Sequence, residues 1–95
     1  MYVIAQHRIL DPQTAFVRGG KLIKNEGALP GVRALQFYPS HDASAVTCLW
    51  EADSVASVQG YVDSVLGDSS ENTTYEVNET QAYAERPSSL PTSRR

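Results

Sequence analysis

His7 lies inside a run of strand-forming residues, Tyr2 to Leu10. An imidazole held among apolar neighbours sits near its switching pKa and can act as a general base. The plainer alternative is a buried histidine hydrogen-bonded to the backbone or to a neighbour such as Tyr75. Cys48, the sole cysteine, alternates with Val46 and Trp50 along a second such run. A nucleophilic thiolate needs a cation or a helix N-terminus to lower its pKa, and no cysteine–histidine catalytic signature surrounds it. Free cysteine otherwise behaves as a small buried hydrophobe. A small-molecule pocket, mostly apolar with a few placed polar groups, could draw its wall from Cys48, Trp50 and Tyr75 and its polar contacts from Arg33 and Gln36. In a chain this small the plainer reading of such aromatic residues is core. The chain carries no phosphate-binding loop, zinc-finger spacing or nucleophile elbow, and Gly19-Gly20 falls within a helical segment rather than between strand and helix.

These residues must be positioned by a small set of elements. Tyr2–Leu10 divides into Val3, Ala5, His7 and Ile9 on one face and Tyr2, Ile4, Gln6 and Arg8 on the other. Asp11 is a good N-cap and Pro12 a good first helical residue. The helix that follows carries Ala15, Phe16, Gly19/Gly20 and Ile23 at about one-turn spacing and is expected to stop at Gly27. A mid-helix glycine costs about 1 kcal/mol relative to alanine, so the pair Gly19-Gly20 suggests a close backbone approach to the sheet or to a ligand. Residues 32–38 read as a second strand, 39–44 as a hairpin loop and 45–51 as a third strand. Asp53 or Ser54 caps a second helix whose apolar stripe is Val55, Val58, Val62 and Val65/Leu66, ended by Gly67. Residues 68–72 read as a polar loop and 73–77 as a fourth strand; 78–85 extend it or form a loose turn.

The order strand–helix–strand–strand–helix–strand, with right-handed crossovers, predicts an α+β, ferredoxin-like βαββαβ fold: one four-stranded antiparallel sheet with two helices on one face. Residues 1–85 form the expected domain and 86–95 a disordered tail. Because apolar residues occupy both faces of the first strand, the uncovered face would be a sizeable apolar patch. A homodimer whose sheets pack face to face, in the manner of a dimeric α/β barrel, would cover it and enclose a cavity.

Ninety-five residues with a net charge of −3 and dispersed basic residues argue against a nucleic-acid partner, which calls for a basic stripe. No apolar run approaches the ~20 residues of a membrane span. A single cysteine and an N-terminus without the pattern of a secretory leader suggest a cytoplasmic protein.

His7 in the first strand, Glu26-Gly27, Gly31-Val32, Cys48-Leu49-Trp50-Glu51-Ala52, Gly67 and Tyr75-Glu76-Val77 together resemble a family of small bacterial ferredoxin-like proteins of unassigned function that includes nickel-binding dimers. The resemblance spans about residues 2–77. It implies a site for nickel or another divalent transition metal. The positions where metal-binding relatives carry further histidines correspond here to Arg33, Gln36 and Asp63, leaving His7 as the retained one. A first-row divalent ion wants three or more ligands; His7, Cys48 and Asp63 would supply them if strand and helix registers converge, or two copies of His7 and Cys48 would meet across a dimer axis. The functional expectation is therefore a protein that binds a small ligand or metal ion in a cavity formed with its dimer partner. The alternative is a cofactor-free enzyme of monooxygenase or cyclase type, with His7 as general base.

Overall fold

The computed structural model describes residues 1–85, so the tail expected at 86–95 lies outside the described residues. The elements follow in the order β1 (Tyr2–Ile9), α1 (Pro12–Ile23), β2 (Arg33–Pro39), β3 (Ala45–Glu51), α2 (Val55–Leu66), a 3-10 turn (Gly67–Ser69) and β4 (Ser70–Glu76). The four strands form one antiparallel sheet in the order β2-β3-β1-β4. This is the expected ferredoxin-like arrangement, with β1 and β3 central.

The alternation along β1 holds: Val3, Ala5 and His7 are buried, whereas Tyr2, Gln6 and Arg8 are exposed. β3 does the same with Val46, Cys48 and Trp50 inward. Both helices cover this inward face, for Leu22 of α1 and Val58, Val62 and Leu66 of α2 join the same core as Val3, Ala5 and Trp50. Burying each of these valine and leucine side chains stabilises the fold by about 1.5–3 kcal/mol. Trp50 packs edge-on to Tyr61 at 5.8 Å between ring centroids.

Local chemistry explains the helix boundaries. The Asp11 side chain accepts from the Thr14 N–H and from its hydroxyl, opening α1 at Pro12. Ser54, rather than Asp53, caps α2 by accepting from the Ser57 N–H. α1 stops at Ile23, a turn short of Gly27, because the segment after it is tied elsewhere. Asn25 adopts a positive φ of 56° and its side-chain oxygen accepts from the Ala34 N–H. The Tyr61 hydroxyl donates to the Glu26 carbonyl at 2.6 Å.

Two departures bear on the site. β4 begins at Ser70, so Ser70, Glu71 and Asn72 are strand and not loop. β2 carries a bulge between Ala34 and Gln36: Ala34 lies opposite Trp50, Gln36 opposite Leu49 and Phe37 opposite Cys48.

Candidate functional site

A cavity of about 160 Å³ lies between the inward face of the sheet and α1. His7, Val46, Cys48 and Trp50 form its floor, and Gly19 and Gly20 form part of its roof. Phe16 and Phe37, edge-to-face with ring centroids 6.5 Å apart, also border it. Phe16 is partly exposed.

The glycines explain the space. A Cβ built on Gly19 or Gly20 would meet nothing within 4 Å. The pair therefore does not serve a close approach of helix to sheet; it leaves room. Two interior helical glycines cost about 1 kcal/mol each, a substantial sum against the roughly 5–15 kcal/mol that holds a domain together.

His7 is 4% exposed and paired on one side. On the helix-facing side of the sheet, Asn72 of β4 lies directly opposite it, with Nδ1 of His7 and Oδ1 of Asn72 at 2.7 Å. The Ser70 hydroxyl donates to the same Oδ1 at 2.7 Å. Nδ2 of Asn72 donates to the Asp63 carboxylate at 2.9 Å. Gln59, one helical turn before Asp63 on α2, donates to both carboxylate oxygens and to the Asn72 carbonyl, and accepts from the Thr74 hydroxyl. A polar network thus runs from exposed Asp63 to buried His7 by way of β4. Burial is the largest influence on the imidazole and pushes its pKa below 6.5. The Asn72 bond and the Asp63 charge act upward without overcoming it.

Among the described residues, His7 Nε2 and Trp50 Nε1 are the buried side-chain atoms without a hydrogen-bond partner. Both residues border the cavity. An unsatisfied buried polar atom costs about 1–3 kcal/mol, and a ligand pocket typically combines an apolar wall with a few such groups. Cys48 is buried, and desolvation pushes its thiol up to about 12. It is a protonated wall residue, with no cation to make it a nucleophile.

The residues expected to share a site divide between the two faces of the sheet. His7, Cys48 and Trp50 meet at the cavity, and Gln36 borders it at the bulge while remaining exposed overall. Arg33 and Tyr75 lie on the outward face: Arg33 pairs with Glu51 at 3.7 Å, and Tyr75 stands opposite Ile4. Tyr75 is therefore not the partner of His7; that role belongs to Asn72. The residues named for a metal do not fit one. Asn72 stands between His7 and Asp63, and no three His, Cys, Asp or Glu gather as a metal-holding group among the described residues. Nor can two copies of His7 and Cys48 meet across a sheet-to-sheet interface, since both face the helices.

Sequence reasoning missed Asn72, Gln59 and the space-making role of Gly19 and Gly20. The one available signal was the polar alternation Ser70, Asn72, Thr74, which has strand period but no hydrophobicity. No family model matches the chain, and neither a curated protein nor a solved structure matches it. No helix among the described residues is long and apolar enough to cross a membrane.

Proposed function

We propose that this protein binds a small, mostly apolar molecule, about the size of one six-membered ring, in the cavity beneath α1, with His7 as its polar contact. The observation that carries this reading is the unpaired, buried Nε2 of His7, a residue that borders a cavity of about 160 Å³. An apolar cavity of ~150 Å³ accommodates benzene, whereas a flavin or haem would not enter. The resemblance to small bacterial ferredoxin-like proteins is part of the proposal, without their metal. A second copy of the chain is the proposed cover for the outward face, where Leu49, Ile4 and Tyr75 line up across three strands.

The test is a titration with one-ring aromatic compounds, read by the fluorescence of the single tryptophan and by amide shifts of β1 and β3. The wild type should saturate. Gly19→Leu, which fills the roof, should not bind while keeping its fold. Absence of saturable binding to the wild type would overturn the reading.

One observation favours a second reading, a cofactor-free enzyme of monooxygenase or cyclase type. Burial keeps the imidazole neutral, and a neutral imidazole beside a bound molecule can take a proton from it. Under this reading His7→Gln abolishes turnover and leaves the fold intact.

A further inference from the structure

The polar network does more than hold His7; it fixes which ring nitrogen carries the proton. The Asp63 carboxylate can only accept, so the Asn72 group 2.9 Å from it must be the NH₂. That orientation turns Oδ1 of Asn72 toward His7 and Ser70, an assignment the Ser70 hydroxyl satisfies by donating. The reversed amide would set its oxygen against the carboxylate. With an oxygen 2.7 Å away, Nδ1 of His7 must be the donor. In the neutral imidazole the other nitrogen, Nε2, is then a bare acceptor, and it is the buried ring nitrogen left unpaired in a residue that borders the cavity.

Resting on the cavity reading above, we infer that the site selects a neutral, ring-sized molecule bearing a hydroxyl, a phenol or an enol, whose O–H donates to His7 Nε2, and that Asn72 and Asp63 are the positioning residues that set this preference. The other chemistries fit poorly. An alkyl-substituted ring would bury Nε2 unpaired. A ring bearing only an acceptor would oppose one lone pair to another, unless the tautomer reverses and the Asn72 bond is lost. A carboxylate would enter as a buried anion with no cation on the cavity wall.

The experiment compares phenol with toluene, which matches it in size, on the full chain at pH 7.5. It is joined by ¹⁵N NMR of the histidine ring. Burial of apolar surface alone would favour toluene. The inference expects phenol to bind about tenfold more tightly than toluene, a difference on the scale of one buried hydrogen bond. It also expects the Nδ1–H tautomer in the free wild type. Asn72→Ala should narrow the ratio to about twofold and mix the tautomers, with toluene affinity little changed; Asp63→Asn, at an exposed position, should shift both in the same direction. Toluene binding as tightly as phenol, or an Nε2–H tautomer in the wild type, would overturn the inference and leave the cavity reading standing. If neither compound binds, the cavity reading falls and this inference with it. Should Asn72→Ala fail to fold, the wild-type ratio and tautomer decide alone.

Discussion

His7 and Asn72 stand directly opposite each other in the β1–β4 ladder, their side chains joined at 2.7 Å on the helix-covered face of the sheet. An antiparallel pair brings such residues within reach of one another without any loop to hold them. The geometry of the candidate base is therefore set by strand register. A one-residue slip of β4 would turn Asn72 to the opposite face.

The burial of His7 makes acid destabilising. Its folded pKa is lowered from 6.5, so the unfolded chain takes up a proton that the folded chain refuses. Stability is full above about pH 6.5 and declines as the pH falls toward the lower folded value, by up to about 1.4 kcal/mol per pH unit from this group. Urea unfolding between pH 7.5 and 5 measures the slope. His7→Gln should flatten it, and an unchanged slope would assign the effect to other groups.

The roof glycines set stability against binding. Gly20→Ala should stabilise the protein by about 0.5–1 kcal/mol, since the added methyl meets no atom within 4 Å. In a domain of this size that corresponds to a rise in Tm of about 4–8 °C per kcal/mol. The same methyl occupies cavity space, so affinity for a one-ring ligand should fall. Calorimetry and a ligand titration on one preparation measure both; a variant both more stable and equally good at binding would show that the glycines do not serve the cavity.

The outward face offers a separate test. Ile4 lies between Leu49 and Tyr75 in one row of the sheet, and Tyr75 is 49% exposed. If a second copy covers this row, Ile4→Lys with Leu49→Lys should weaken self-association on the order of a hundredfold, because lysines would be buried against each other unpaired. Sedimentation velocity gives the oligomeric state, and circular dichroism shows whether the fold persists. A wild type that sediments as a monomer at micromolar concentration would remove the second copy from the proposal.

The sheet and both helices were legible because their signals are local. The alternation of Tyr2–Ile9, the cap at Asp11-Pro12 and the apolar stripe of α2 each point to one conformation. β4 was half legible, because its inward residues Ser70, Asn72 and Thr74 satisfy Gln59, Asp63 and His7 instead of packing as hydrophobes. A hydrophobic pattern cannot register a strand whose buried face is polar. His7, Cys48 and Trp50 could be placed on one face from period alone. Arg33 and Tyr75 were misjoined to them because residue type says nothing of which side of the sheet a strand presents. Gly19 and Gly20 stood out by their cost, but whether that cost purchases contact or emptiness depends on the distance between two layers, which no local stretch encodes.

Along β3 the even positions Val46, Cys48 and Trp50 face the cavity, while Thr47 and Leu49 face outward. The strand is a partition one residue thick. Substitutions at its even positions change what the molecule can hold, and those at its odd positions change what it can sit against. The two properties can therefore diverge separately, with neither set of changes disturbing the other's chemistry.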